Sequence, residues 1–175
     1  MQRNKLPRAC SRSWVISSKP MPEPMKTCCI TLIVLVAALV HVQAQSAEDS
    51  VKQAVGQLFT AMKNADAAGI RSAFADSALL QTIARTKEGS LAVKNEPIAT
   101  FAASIGKLPK GAADERIRYE SIKIDGPLAS VWTPYEFYYN GQFSHCGVNS
   151  FQLVRTGNGW KIQYIIDTRR KEGCR

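Results

Sequence analysis

The sequence predicts an α+β domain, in which N-terminal helices precede an antiparallel sheet and a pocket lies on the core-facing side of that sheet. Apolar residues recur at helical spacing between Ala47 and Asn64. Two turn sequences, Asn140-Gly141 and Thr156-Gly157-Asn158-Gly159, then divide the last third of the chain into strand-like runs rich in aromatic and β-branched residues. The chain of 175 residues, 45% hydrophobic and 21% charged, has the size and composition of one globular domain.

The first 44 residues are interpreted as an N-terminal extension and a secretory signal peptide. The apolar run from Cys28 to Val40 fits the roughly 7 to 15 residues of a secretory h-region and is shorter than the roughly 20 that span a membrane. Val42-Gln43-Ala44 supplies small residues at the usual cleavage spacing, so cleavage is expected after Ala44. Residues 45–175 are then expected in the periplasm or the medium, without a stable membrane anchor.

The N-terminal 44 residues also bear on the start of translation and on the net charge of the mature protein. Met1, Met21 and Met25 are candidate starts, and Met25 is favoured because residues 1–24 add basic side chains without apolar periodicity. Residues 1–44 contain six basic and one acidic side chain, so they carry +5 of the formal +9. The remaining +4, with 17 basic and 13 acidic side chains, forms no basic stripe, so a nucleic-acid partner is not expected.

Several elements are predicted before the aromatic-rich strands. In chain order they are a helix over Ala47–Asn64, a helix over Ala67–Phe74 capped by Asp66, strands over Leu79–Thr86 and Ser90–Lys94, a helix over Pro97–Ile105, and a strand over Asp114–Asp125. Ile117 and Tyr119 are odd-numbered, whereas the next apolar residue of that last strand, Ile122, is even-numbered, which indicates a β-bulge.

The last third is predicted to be three antiparallel strands, over Val131–Tyr139, Gln142–Val154 and Trp160–Thr168. Asn-Gly supplies the two positive-φ residues of a type I′ turn, and regular pairing from Asn140-Gly141 places Glu136 directly opposite His145. Side chains of a strand alternate between faces. The same alternation predicts a polar cluster at one end of the core-facing side, made of Glu136, His145, Asn149, Thr168 and Arg170.

This cluster predicts a ligand pocket. Trp132 and Tyr138 flank it and are the candidate rings for packing against a flat ligand, while Glu136, His145, Asn149, Thr168 and Arg170 are candidate hydrogen-bonding residues. Glu136 and His145 also have a catalytic interpretation, as a general acid/base pair, and a purely structural one, as a cross-strand hydrogen bond. No metal is expected, since His145 is the one histidine left after cleavage, and no cofactor motif is present.

Four segments carry a resemblance to a known family: Trp132-Thr133-Pro134-Tyr135-Glu136-Phe137, Ser144 to Phe151, Gly159-Trp160-Lys161-Ile162 and Asp167-Thr168-Arg169. With the order of elements from Ser50 onward, they resemble the nuclear transport factor 2-like (SnoaL-like) superfamily and its secreted branch named for lumazine binding. The resemblance implies a cystatin-like cone, in which a curved antiparallel sheet wraps around the N-terminal helices and leaves a central pocket. Its implied function is binding of a flat, polar, lumazine-like heteroaromatic molecule, with an isomerase or dehydratase-like enzyme as the alternative.

Two cysteines remain after cleavage, Cys146 and Cys174. An oxidising compartment favours a disulfide between them, because strand pairing brings Cys146 close to the end of the last strand. The alternative is a buried Cys146 with a free Cys174.

A homodimer is also expected. Regular alternation places apolar side chains on the sheet face turned away from the pocket, namely Val131, Tyr135, Phe137, Val148 and Ile165. An apolar sheet face needs a cover, and relatives in the superfamily commonly pair sheet to sheet. We therefore expect a two-fold symmetric dimer through this outer face.

Overall fold

The computed structural model describes residues 47–174. The predicted signal peptide, its cleavage after Ala44 and the boundary at residue 45 lie outside the described residues. The helices are α1 (47–63), α2 (Ala67–Ala73) and α3 (Ile98–Ile105). The strands are β1 (Phe74–Arg85), β2 (Leu91–Asn95), β3 (Ala113–Ile117), β4 (Ser121–Asp125), β5 (Leu128–Tyr139), β6 (Gln142–Thr156) and β7 (Gly159–Arg170). None of the helices in this part of the chain is long and apolar enough to cross a bilayer.

The helices form where the sequence predicts them. The apolar stripe of α1 is buried against the sheet, as Val51, Val55 and Leu58 show. Asp66 caps α2, because its Oδ1 accepts a hydrogen bond of 2.9 Å from the backbone N–H of Gly69. Pro97 precedes the first residue of α3 and fixes an extended backbone there.

The strands form one sheet in the order β2-β1-β7-β6-β5-β3, with β4 beside β5. The prediction of an antiparallel sheet is wrong for one pair, since β1 and β7 run parallel. The long chain between them, which includes α3 and the β5–β6 hairpin, permits this pairing. The sheet is therefore mixed, and its inner face packs on the helices.

The turns of the last three strands agree with the sequence. Asn140 and Gly141 have φ values of 48° and 78°, as a type I′ turn requires. In the second turn, Thr156 pairs with Gly159, so Gly157-Asn158 forms the tip.

Two register shifts separate the observed sheet from the predicted one. The β5–β6 pairing shifts between Phe137 and Tyr138, and the β6–β7 pairing shifts between Gln152 and Leu153. Glu136 therefore pairs with Cys146, and His145 pairs with Phe137. The prediction that Glu136 lies opposite His145 is wrong, because a one-residue shift moves every later pair by one position and so changes which faces meet.

The shifts exchange the two faces of β5 and of the second half of β7. The predicted outer patch is wrong for all its residues except Val148: Val131 and Ile165 are buried in the core, and Tyr135 and Phe137 line the inner cavity described below. Trp132, by contrast, is 46% exposed on the outer face. The bulge predicted between Ile117 and Ile122 is present, because β3 and β4 pair with the same strand in registers that differ by one residue.

Candidate functional site

A cavity of about 360 Å³ lies between α1, α3 and the inner face of the sheet. Its apolar wall consists of Leu58, Phe59, Met62, Phe74, Leu80, Ala84, Phe101, Ile105, Phe137, Phe151 and Ile165. Its polar lining consists of Thr82, Lys94, Glu96, Glu115, Tyr135, His145, Asn149, Asp167 and Arg169. The volume is at the small end of the range typical of small-molecule sites.

Four polar residues form a continuous row across the inner face. Thr133 of β5 pairs with Asn149 of β6, which pairs with Asp167 of β7, which pairs with Thr82 of β1. All four are buried. Buried polar side chains need partners, so this row is either satisfied internally or prepared for a ligand.

Asn149 holds the carboxylate of Glu115. Its Nδ2 donates a hydrogen bond of 2.8 Å to Oε1 of Glu115, which extends from β3. Burial raises the pKa of Glu115 to about 7; the negative charge of Asp167 raises it further, whereas the bond from Asn149 and the charge of Arg169 lower it. Glu115 can therefore gain or lose a proton near neutral pH.

Asp167 is the most enclosed charged group of the site, with 6% of its surface exposed. Its Oδ2 accepts from Nε of Arg169 at 3.0 Å and lies 3.3 Å from the hydroxyl of Tyr135. Its Oδ1 is buried and has no hydrogen-bond partner among the described residues. Arg169 is held by a further bond of 3.0 Å from Nη2 to Oγ1 of Thr82.

Tyr135 reaches across β6 because Gly147 leaves room for its ring. The Tyr135 hydroxyl lies 3.0 Å from the carbonyl oxygen of Thr168 on β7. A Cβ at Gly147 would collide with that carbonyl oxygen and lie 2.8 Å from Cε1 of Tyr135. Burial, followed by the charges of Asp167 and Glu115, raises the pKa of Tyr135, so its hydroxyl keeps its proton.

His145 lies between two aromatic rings of the cavity. Its ring centroid is 5.0 Å from that of Phe137 and 5.8 Å from that of Tyr135, and its Nδ1 is 3.1 Å from Oγ of Ser144. Burial lowers the pKa of His145, and the positive charges of Arg169 and Lys171 lower it further, although Asp167 opposes this. The imidazole is therefore neutral at pH 7.

The structure brings two of the seven predicted ligand residues, His145 and Asn149, into the cavity lining. The other five do not line the cavity and have their contacts outside it. Tyr138 donates to Oε2 of Glu136 at 2.9 Å, Thr168 accepts from the backbone N–H of Val148 at 3.2 Å, Nε of Arg170 lies 3.4 Å from the carbonyl oxygen of Gly173, and Trp132 is exposed. Their predicted positions on the pocket face are wrong, since the register shifts turn them to the outer side.

Among the cavity residues that sequence reasoning missed, four bear most on its chemistry: Glu115, Tyr135, Asp167 and Arg169. All four are odd-numbered, as are the uncharged residues Val131, Thr133, Tyr135 and Phe137 that share one face of β5. That run without charges was the signal for the inner face of β5. On β7 the inward-facing residues change from even-numbered to odd-numbered, and the apolar run Tyr164-Ile165-Ile166 conceals where this change occurs.

Cys146 and Cys174 form a disulfide. Cys146 is buried and pairs in register with Glu136 and Arg170, so the bridge lies on the face opposite the cavity. It links β6 to the segment after β7. Within residues 47–174, no three His, Cys, Asp or Glu side chains converge in a group that could hold a metal ion.

Solved structures with the same fold are numerous. An NTF2-like protein of unknown function from Shewanella baltica matches with a TM-score of 0.56 and 17% identity over 75% of this chain and 97% of that one. An NTF2-like protein with a cystatin-like fold from Novosphingobium aromaticivorans matches with a TM-score of 0.58 and 13% identity, over 79% and 91% of the two chains. The chain has the cystatin-like fold of NTF2-like proteins. The predicted fold class is thereby confirmed.

A third solved structure carries a functional description. It is a candidate dehydratase of the NTF2-like family from Streptomyces avermitilis, with a TM-score of 0.51 and 15% identity over 70% of this chain and 94% of that one. No family model matches the sequence, and no curated protein matches it. At these identities the likeness concerns the fold alone, so function has to be argued from the cavity.

Proposed function

We propose that this protein binds a small organic molecule in the inner-face cavity. The observation that carries the proposal is the distribution of its lining: aromatic and aliphatic side chains form the wall, while Glu115, Asn149 and Asp167 meet at one end. Such a cavity holds the apolar body of a ligand by burial and orients it through a few polar groups.

A flat heteroaromatic ligand of the lumazine type fits this arrangement. Phe59 and Phe151 stand edge to face at 6.1 Å, and Phe101 and Phe137 line the same space. Flat rings pack well against such aromatic walls. We place the ligand among these rings, and no longer between Trp132 and Tyr138.

We further propose that the protein acts outside the cytoplasm. The signal peptide predicted before residue 45 supports this, and a disulfide such as Cys146–Cys174 persists in oxidising compartments. N-terminal sequencing of the exported protein tests the proposed cleavage after Ala44. A membrane-bound product that retains residues 32–40 would contradict it.

Native mass spectrometry tests the binding function without presuming a ligand. Protein purified from its own host is expected to carry a bound small molecule. Asn149→Ala is expected to lose it, because the variant removes an amide from the polar end of the cavity and leaves Glu115 unpaired. Trp132→Ala is the matched control on the outer face and is expected to retain the ligand. The reverse pattern would contradict the proposed site.

A second function, proton transfer in an isomerase or dehydratase-like reaction, is favoured by the pKa of Glu115. A carboxyl group with a pKa of about 7 in an apolar cavity is suited to act as a general base or acid at neutral pH. In this proposal Glu115 takes the role that the sequence assigned to Glu136, with neutral His145 nearby.

Hydrogen exchange of the bound ligand separates the two functions. An enzyme of this kind exchanges a ligand C–H for deuterium in D₂O, and Glu115→Gln abolishes the exchange while the ligand still binds. If the wild-type protein returns its ligand unexchanged and unaltered, the protein is a binder only.

A further inference from the structure

The groups at the polar end of the cavity differ in how far the protein itself satisfies their donors and acceptors. Asn149 already donates to Glu115, and Arg169 donates through Nε to Asp167 and through Nη2 to Thr82. The Tyr135 hydroxyl has one proton, which lies within reach of Thr168 and Asp167. The protein itself therefore uses one of the two N–H groups of Asn149, two of the five of Arg169 and the single proton of Tyr135. The unused donors lie mainly on Arg169, whose side chain is 51% exposed.

The acceptors are not all occupied. Oδ1 of Asp167 is buried without a partner in the described part of the chain, in a residue that is only 6% exposed and lines the cavity. Glu115 accepts one hydrogen bond, at Oε1, from Asn149, and an ionised carboxylate has room for more. A buried acceptor without a donor is costly, so this end of the cavity favours a ligand that brings donors.

The charges around the cavity also favour a ligand that brings hydrogen-bond donors over an anionic one. Two carboxyl groups, Glu115 and Asp167, face the single guanidinium of Arg169, while His145 has a lowered pKa and is neutral at pH 7. Lys94 and Glu96 are exposed and of opposite sign. An anion would meet two acids and a guanidinium that is already paired.

We propose that the ligand of this cavity presents an N–H or O–H donor to Glu115, with Asp167 as the second acceptor, and that the site rejects carboxylates and phosphates. This inference rests on the proposed small-molecule function and deepens it, because it selects neutral or cationic donor-bearing rings. Direct contact with Oδ1 of Asp167 requires a small rotation of the side chain, since that atom is covered in the present arrangement.

Three bicyclic probes of similar size test the inference by isothermal titration calorimetry. 2-Aminoquinoline offers donors, 2-methylquinoline replaces the amino group by a methyl group of similar size, and quinoline-2-carboxylate offers an anion. The expected order of affinity is amino, then methyl, then carboxylate, with about tenfold or more between the first two, the usual effect of a hydrogen bond to a charged group.

Two glutamate variants locate the effect. Glu115→Gln keeps the length of the side chain and an oxygen for Asn149, and it is expected to remove most of the amino-over-methyl preference. Glu136→Gln is the matched control, because Glu136 is bonded to Tyr138 on the outer face, and it should keep that preference. If Glu115→Gln fails to fold, the order of the three probes on the wild-type protein still decides the question.

The outcomes separate the two proposals. Tightest binding of the carboxylate would identify Arg169 as an anion site and overturn the inference, as would equal binding of the amino and methyl probes or an unchanged preference in Glu115→Gln. If none of the probes binds at millimolar concentration and the protein from its own host carries no small molecule, the proposed function fails, and the inference fails with it.

Discussion

A single residue, Glu115, makes the stability of the protein depend on pH. Its pKa is raised from 4.5 to about 7, chiefly by burial. Between these values the folded protein holds a proton that the unfolded chain has lost, so the stability that this proton provides below pH 4.5 is lost as the pH rises to about 7. The slope is at most about 1.4 kcal/mol per pH unit.

Urea unfolding of the wild-type protein and of Glu115→Gln at several pH values measures this effect. We expect the stability of the wild type, relative to the variant, to fall as the pH rises from 4.5 to 7 and then to remain constant. A difference that does not change with pH in this window would show that Glu115 titrates normally.

Gly147 is the second residue on which the site depends. Gly147→Ala should lower the free energy of unfolding by about 2 kcal/mol or more, because the new methyl group would collide with the Thr168 carbonyl and crowd the ring of Tyr135. Gly157→Ala is the control, since a Cβ there meets no atom within 4 Å. Equal unfolding midpoints for the two variants in urea would contradict this explanation.

At the level of elements, the disulfide links β6 to the segment that follows β7. It joins residues 28 positions apart, and closing a loop of that length contributes about 3.6 kcal/mol in the chain-entropy account. Cys174→Ser is therefore expected to unfold at lower urea concentration than the oxidised wild-type protein. The difference should disappear when both proteins are measured in a thiol reductant, and a difference that persists there would show that the serine itself disturbs the fold.

The elements were predictable from sequence, but the faces of the strands were not. Helical spacing in α1, the cap at Asp66 and the Asn140-Gly141 turn are local signals, and each was read correctly. The predicted bulge between β3 and β4 was also found, because Tyr119 and Ile122 reveal a change of parity.

The bulges of the last three strands leave no such signal. On β5 both faces carry aromatic residues, for example Tyr135 on one side and Tyr138 on the other, and only the absence of charged residues from the odd-numbered face distinguishes the core side. An error of one residue in the register then assigns every later side chain of the strand to the wrong face, because side chains alternate with a period of two residues. His145 and Asn149 were placed correctly because the error on β5 did not change the inward parity of β6, whereas Glu115, Asp167 and Arg169 required the three-dimensional register.

At the level of the whole molecule, a homodimer is still predicted, but its interface consists of residues other than those that the sequence placed on the outer face. The outer face now presents Trp132 and Pro134 of β5 together with Val148 of β6 and Ile166 of β7, which lie on neighbouring strands in register. Trp132→Lys should convert a dimer to a folded monomer, because it places a charge at the centre of this face. Light scattering measures the mass, with Gln53→Lys as a control that replaces an exposed polar residue of α1, away from the outer face. A wild-type protein that is monomeric at micromolar concentration would end this prediction.

The central claim is that ligands bind on the inner face of the sheet, and a proton–nitrogen NMR titration with 2-aminoquinoline tests it most directly. The side-chain amide of Asn149 reports from the cavity, the indole N–H of Trp132 reports from the outer face, and the indole N–H of Trp160, bonded to Ser50 at 3.1 Å, serves as the internal reference. We predict that the Asn149 signal shifts in a saturable manner while both indole signals stay in place. A saturable shift of the Trp132 indole with an unmoved Asn149 amide would contradict the account and place the binding site on the outer face.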